Sequence, residues 1–491
     1  MGASFFKDRH IVALAAGMTV YFIVMSGVSV YYSGHFLNAN FDYPFADQAA
    51  WLIANGKEPF STVRGINIFG DHMYFIYALL APLYWLWSDP RVLLLFQSFA
   101  LATAALPLYL MAKEKLGKSP ALVVSLSFLL YPALQFLNLD NFHPVSLGVP
   151  IFLWAFYFLE KRRYAMLFYC AFLALITREE YALTVFALGV YTAWRHDRKT
   201  GIALCAFAAA WVLAMIFIIF PFYGGGGYVQ SERLGLQEYG ATLPEIAANM
   251  ALNPASVATR VMAEDRVKYL ADLLLPTGLL SLLSPTFLLA LPGLILNLVI
   301  GWPYARMITY HHSTAIIPFV FISIVYSLEK LKKRQRIIQG GRPLFAYAVI
   351  LLAVSSVAGN VFIGPDATKI TNYAGIAQML AGQETYGEYK TAAHNALKMI
   401  PDDASVSASD RLLIGVSQRA RAYLFPNPFY KLYWGNIAGK PEPTVTLPDY
   451  VLLDDAALRN QGVMQGFVNA GAYTNVYSES GVTLFARSRG A

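Results

Sequence analysis

Long apolar runs separated by short polar stretches fill the chain as far as Ile363, after which a mixed, partly alternating pattern takes over. The runs are Ile11 to Tyr31, Val92 to Ala112, Pro120 to Leu137, Val145 to Leu159, Tyr164 to Ile176, Tyr181 to Trp194, Ile202 to Phe222, Leu270 to Leu283, Pro285 to Ile300, Ser313 to Leu328 and Leu344 to Ile363. Roughly 20 apolar residues in helical form cross a hydrocarbon core; several runs are shorter, yet the pattern predicts about eleven transmembrane helices. The first run has no convincing small-residue cleavage site and is expected to remain as an uncleaved signal anchor. His72 to Trp87 is also apolar, with Pro82 inside it, and is read as an outer juxtamembrane or re-entrant helix. Were it a crossing, the basic loops that follow would change sides.

Those basic loops set the orientation, because Lys and Arg in short loops stay on the cytoplasmic side. The clusters are Lys7 and Arg9, Lys113 to Lys118, Lys161 to Arg163, Arg195 to Lys199, and Lys330 to Arg336. They predict a multi-pass plasma (inner) membrane protein, amino terminus cytoplasmic and carboxyl terminus outside. The weakest pair of crossings meets at Ser284 and Pro285, where the inner turn carries no charge. The expected division is a helical membrane domain over 1–363, with a first outer loop over 32–91, and an extracytoplasmic α/β domain over 364–491. In that second unit Tyr386 to Met399 has helical spacing. Ala404 to Ser409, Ala420 to Phe425 and Tyr450 to Leu453 read as short buried strands. Ala472 to Ser478 and Val482 to Arg487 read as a hairpin turning at Ser480 and Gly481.

Composition agrees with the pattern. Hydrophobic residues make up 57% and charged residues 14%, and mean hydropathy is +0.47, against about 25% charged in a soluble domain. The formal net charge of +7 resides largely in inner loops, so it argues for membrane orientation and against a nucleic-acid partner. The two cysteines, Cys170 and Cys205, lie in apolar spans and set no disulfide framework.

On this topology the chemistry gathers outside. The first outer loop holds Asp42 and Asp47 in NFDYPFADQAAW, and Asp71 and His72 in NIFGDHMYF. Further outer groups are Asp140 and His143 in NLDNFHPVS, Arg178, Glu179 and Glu180 in ITREEYAL, and Arg306, His311 and His312 in YARMITYHHS. Charges held between two apolar runs by a residue or two of loop, as Arg178 to Glu180 are, commonly line a pathway or site. Each feature also has a plainer reading. Asp42 and Asp47 could be solvated carboxylates or a helix cap near Ala46. Arg178 with its two glutamates could be a structural ion network. The histidines could bind a divalent metal, with Asp71, His72 and His143 as candidate ligands, or only hydrogen-bond at the water boundary. Gly224 to Gly227 lacks the Lys-Ser or Lys-Thr of a phosphate loop and reads as a flexible linker.

The order of features resembles the GT-C membrane glycosyltransferases. These are a signal anchor, a long acidic outer loop with ADQAAWLIANG, a partly inserted aromatic segment, a span ending in Lys and Gly, and a span ending before NFHPV. Within that superfamily FDYPFADQAAW, STVRGINIFGDH, NFHPV, TREE and YHHS resemble the recurring strings of a prokaryotic family of predicted membrane proteins of unknown function. The resemblance implies transfer of a sugar from a polyprenyl-phosphate donor to a glycan, lipid or protein acceptor on the outer face. It places Asp42 at the first-loop carboxylate, as general base, and Asp47 near a second acidic position. Arg64, Asp71, His72, His143, Arg178, Glu179, Arg306, His311 and His312 are then the substrate-binding candidates. The chain departs from the sugar transferases where Asp71 and His72 replace a Lys-Pro pair and His143 replaces an aspartate. Two other classes fit outer acids and histidines: a transporter or lipid flippase, and a noncatalytic scaffold presenting the outer domain. The absence of a clear inverted repeat weighs against the transporter.

Overall fold

The computed structural model describes residues 8–37, 41–223, 235–240, 243–337, 343–365, 387–430, 447–455 and 462–488. The run Gly224 to Gly227 lies outside them. Helix Arg9–Gly34 starts where the Asp8 side chain accepts from the His10 amide, and its exposed Val20 and Ile23 suit a lipid-facing surface. Arg91–Leu116 and Lys118–Leu129 are packed back to back. The turn between them sits at Gly117, whose φ of 95° a residue with a side chain rarely adopts. Lys118–Leu129 and Pro132–Leu139 meet at 43°, since Pro132 has no N–H to continue the ladder. The aromatic segment becomes two single turns, Tyr77–Leu80 and Leu83–Leu86, separated at Pro82 as expected.

Among the described residues four helices are long and apolar enough to cross a membrane on their own, or five if the bent pair is one span. The others are shorter, among them Tyr164–Leu175 and Tyr181–Arg195. The clearest departure is Leu270 to Leu283. Glu264–Leu274 ends, and the chain continues as two short 3-10 turns, Leu275–Thr277 and Leu280–Leu283. Pro276 breaks the ladder, and Gly278 and Leu279 both take left-handed conformations. Pro285 to Ile300 likewise opens as a 3-10 turn, Pro285–Ala290, before becoming helix Leu291–Val299. Elsewhere among the helix ends, Lys115 joins Glu160 at 2.8 Å and Glu329 at 3.7 Å. Lys332 donates to the carbonyl of Leu116 at 2.8 Å. Residues of the basic clusters thus tie helix ends together.

The polar remainder forms a five-stranded sheet. A small ribbon in the first loop supplies β1 (Phe60–Ser61) and β2 (Ile66–Asn67). The sheet itself has β3 (Val406–Ala408), β4 (Ala422–Leu424), β5 (Tyr450–Asp454), β6 (Tyr473–Glu479) and β7 (Val482–Arg487), in the order β4-β3-β5-β7-β6. β3 pairs parallel with both β4 and β5, whereas β7 pairs antiparallel with β5 and β6. The hairpin turns at Ser480 and Gly481, with φ of 43° and 79°, the positive values that a two-residue primed turn requires. Helix Gly387–Lys398 buries Ala392, Ala393 and Ala396 on one face.

The sheet unit is seated on the first loop through polar groups that are themselves buried. In helix Asp42–Ala54, Asp47 accepts from Tyr84 at 2.6 Å, Ser417 at 2.5 Å and Gln418 at 3.1 Å. Its neighbour Gln48 donates to the Arg419 carbonyl at 3.1 Å and accepts from Ser61 at 2.6 Å. Thr62 exchanges two hydrogen bonds with Ala422, donating at 2.6 Å and accepting at 2.9 Å. Burial pushes the Asp47 carboxyl up to about 6, and the hydrogen bonds from Ser417, Tyr84 and Gln418 only partly offset it. A native carboxyl that protonates near pH 6, against 3.8 in the unfolded chain, binds more protons than the unfolded state between those values. Stability therefore rises as pH falls through 6, by up to about 1.4 kcal/mol per unit, and levels off below the unfolded pKa. Melting curves of the detergent-purified protein at pH 7 and pH 5 should show this rise. Asp47→Asn should flatten it, and an equally steep profile in the variant would rule the assignment out.

Candidate active site

The first loop, the ends of several membrane helices and the sheet unit enclose a cavity of about 620 Å³. Of the sequence candidates, Asp42, Arg64, Asp71, His72, His143, Arg178, His311 and His312 line it. Asp42 stands in the first turn of its helix. Five residues of helix turn a side chain about 140° around the axis, so Asp47 faces the sheet unit and not the cavity.

Arg64 and Asp71 form a forked pair, Nη2 to Oδ1 at 3.1 Å and Nε to Oδ2 at 3.4 Å, with side chains only 1% and 5% exposed. The β1–β2 ribbon and the short helix Ile68–His72 bring them together. The Arg64 guanidinium also lies 5.5 Å from the Phe41 ring. His72, one residue on, donates from Nδ1 to Glu179 at 2.8 Å. Burial opposes charge on Glu179, yet His72, Arg178 and a backbone N–H outweigh it and hold the carboxyl down at about 2. Arg178 donates to the Tyr74 hydroxyl at 3.1 Å and pairs with Glu180 at 3.4 Å. Of the string TREE, Arg178 and Glu180 thus line the cavity, whereas the candidate Glu179 does not and is held by His72 of the first loop.

Arg306 is placed differently. It donates to Asp265 at 2.6 Å and to the carbonyls of Ile300 and Trp302, so it clamps its own loop and does not line the cavity.

Two of the histidines, His143 and His311, meet a single carboxylate. Asp140 Oδ2 lies 3.3 Å from His143 Nε2 and 3.1 Å from His311 Nδ1, and it accepts the His311 amide at 3.1 Å. The rings of His143 and His311 stack with centroids 3.7 Å apart, and those of His311 and His312 lie tilted at 4.4 Å. Burial draws His311 and His312 well below the usual histidine range. For His143 burial acts in the same direction, but Asp140 outweighs it and raises the group. Behind this cluster Gln97 accepts from the His143 amide at 3.1 Å and donates to the carbonyls of Asn138 and Asn141 at 3.1 and 2.7 Å. That support lets Asn141 hold a left-handed φ of 62°, a conformation asparagine tolerates.

The expected metal grouping of Asp71, His72 and His143 is not the one that forms. Arg64 occupies Asp71 and Glu179 occupies His72. Among the described residues the set whose ligand atoms converge within 4.8 Å is Asp140, His143 and His311. Asp140 was visible in NLDNFHPVS as an outer acid, but its pairing with His311 across the chain had no local signal. Asp410 and the aromatic residues Trp302, Tyr304 and Tyr310, all in the lining, were missed altogether.

A family described as a predicted membrane protein (DUF2079) matches residues 34–484. The chain is a DUF2079 protein. No curated protein matches it. In fold this DUF2079 chain is similar to ArnT from Cupriavidus metallidurans in the apo state, with 12% identity, TM-score 0.51, and coverage of 96% of this chain and 98% of that one. The same ArnT bound to undecaprenyl phosphate aligns with 12% identity, TM-score 0.49, and coverage of 96% and 99%. AglB from Archaeoglobus fulgidus, an archaeal oligosaccharyltransferase in complex with an inhibitory peptide and a dolichol-phosphate, aligns with 14% identity and TM-score 0.40 over 99% of this chain and 75% of that one. At such identity the likeness to ArnT is one of fold. The family description and the apolar helices make this DUF2079 protein a multi-pass membrane protein.

Proposed function

We propose that this DUF2079 protein transfers a sugar from a polyprenyl-phosphate donor to an acceptor at the outer membrane face, with Asp42 as general base. In this reading residues 1–363 form the membrane domain and 364–491 an outer domain, with the amino terminus cytoplasmic. The observation that carries the proposal is the cavity itself, which is lined both by carboxylates, Asp42 among them, and by the cations Arg64 and Arg178. A polyprenyl phosphate is a stable leaving anion and needs no acid from the protein. Two tasks remain: a base for the acceptor hydroxyl, and positive charge for the departing phosphate. Arg178 is the preferred phosphate partner, because it lines the cavity on a short loop between helices. Attack opposite the phosphate inverts the anomeric centre. Asp47 positions the loop helix against the sheet unit, and Arg306 orders the aromatic loop.

Two imidazoles and one carboxylate suit a divalent ion such as zinc or manganese, and Asp140, His143 and His311 would hold it. Bound there, it would supply Lewis-acid stabilisation of phosphate charge. Zinc added to metal-stripped protein should raise the melting temperature, by the equivalent of about 2.7 kcal/mol at a hundredfold excess over the dissociation constant. His143→Ala with His311→Ala should abolish that rise. An unchanged rise in the double variant would move the ion elsewhere.

The donor reading is tested by native mass spectrometry of detergent-purified protein offered undecaprenyl phosphate, with Arg178→Ala alongside. Retention by the wild type and loss by the variant is the expected result. Binding of bulk phospholipid alone to both proteins would overturn the reading.

A further inference from the structure

The sheet unit does more than cover the cavity, because the carboxyl ends of its parallel strands point into it. Ala408 of β3 stands opposite Leu424 of β4 on one side and Leu452 of β5 on the other. Asp410 follows β3 by two residues. Both Asp410 and Leu424, the last residue of β4, line the cavity. The strand order β4-β3-β5 means that the chain leaves β3 for one neighbour and later returns to pair on its other side. In parallel sheets such a reversal opens a crevice at the carboxyl ends of the strands, and ligands bind there. Here that crevice faces the membrane-embedded site.

Asp410 is suited to hold something. Its Oδ1 is buried and has no hydrogen-bond partner, although the carboxylate is the acceptor that such a position would leave unsatisfied only at a cost. Burial, with Asp454 and Asp42 nearby, raises its carboxyl to about 6, and Arg411 opposes this. Like charges there repel a phosphate, which belongs with Arg64 and Arg178. Nor do these acids converge on a metal: among the described residues the converging set is the one around Asp140. A donor whose phosphate lies with the arginines leaves its sugar to the rest of the lining, which includes Asp410.

Building on the donor reading, we propose that Asp410 is a specificity-determining residue, whose buried Oδ1 accepts a hydrogen bond from a hydroxyl of the donor sugar. The outer domain thereby reads the sugar while the membrane domain holds the lipid phosphate. The full-length protein in nanodiscs is titrated with undecaprenyl phosphate and with a panel of undecaprenyl-phosphate hexoses and pentoses, using native mass spectrometry as readout. The wild type should bind at least one sugar-bearing lipid tenfold or more tightly than the bare phosphate. Asp410→Ala, which removes the acceptor, should lose that preference yet bind bare undecaprenyl phosphate as the wild type does. Asp410→Asn, which keeps a neutral acceptor oxygen in place of the carboxylate, should weaken the preference without abolishing it. An undiminished sugar preference in both variants, or a wild type that binds the bare phosphate and prefers no sugar, overturns the assignment of Asp410. A wild type that binds neither form overturns the donor reading itself, and this one with it.

Discussion

Asp42→Asn is expected to stop sugar transfer while leaving the lipid donor bound. Asparagine keeps the shape of the side chain and most of its hydrogen-bonding capacity, so helix Asp42–Ala54 and the cavity wall should persist. What disappears is the ability to take a proton from the acceptor hydroxyl, worth about 10²–10⁴ in rate for a positioned base. Consumption of the sugar-bearing lipid by native membranes, followed by mass spectrometry, measures the effect. Turnover within a few-fold of the wild type would remove Asp42 from the mechanism. Loss of lipid binding together with turnover would assign it a structural task. Asp47→Asn is the natural comparison, because that carboxylate faces Ser417 and Tyr84 and not the cavity. Its turnover should survive wherever the protein folds.

Arg64→Met should be the most damaging single change to stability. It leaves Asp71, only 5% exposed in its side chain, without the two-pronged partner that compensates its burial. Breaking one half of a buried pair costs about 3–5 kcal/mol, whereas replacing both halves by apolar groups of similar volume is often neutral. Arg64→Met is therefore expected to purify poorly, and Arg64→Met with Asp71→Leu to recover a melting temperature close to the wild type. The double variant should nonetheless bind undecaprenyl phosphate weakly, because Arg64 also faces the cavity. A double variant no more stable than the single one would show that Arg64 matters through other contacts.

Much of this arrangement is written locally. Helix Tyr164–Leu175 and helix Tyr181–Arg195 follow from the apolar runs, and the closing hairpin from its strands and from Ser480 and Gly481. The grouping of candidate residues is also legible in part. Asp42, Arg64, Asp71, His72, His143, Arg178, His311 and His312 all come from strings that read as outer loops, and all meet in one cavity. The partners within the cavity were not legible. A histidine paired with Glu179 and another paired with Asp140 look alike in a string of letters, because ion pairing depends on which loops the helices bring together. The surroundings of Asp47 are illegible for the same reason. Its acceptor bonds come from Tyr84 and from Ser417 and Gln418, far along the chain, and no spacing rule reaches that distance.

By itself the sequence determined a membrane protein of many apolar helices, a small sheet unit after them, and a set of polar residues in the loops between the apolar runs. These follow from hydrophobic transfer and short-range periodicity, which act residue by residue. Only the tertiary structure decided that Asp140 gathers His143 and His311, that Arg306 turns to Asp265, that Leu270 to Leu283 breaks at Pro276, and that Asp410 enters the cavity. Each of these depends on burying a charge or an interrupted backbone where a distant segment can compensate it, and compensation at a distance is a property of the packed chain.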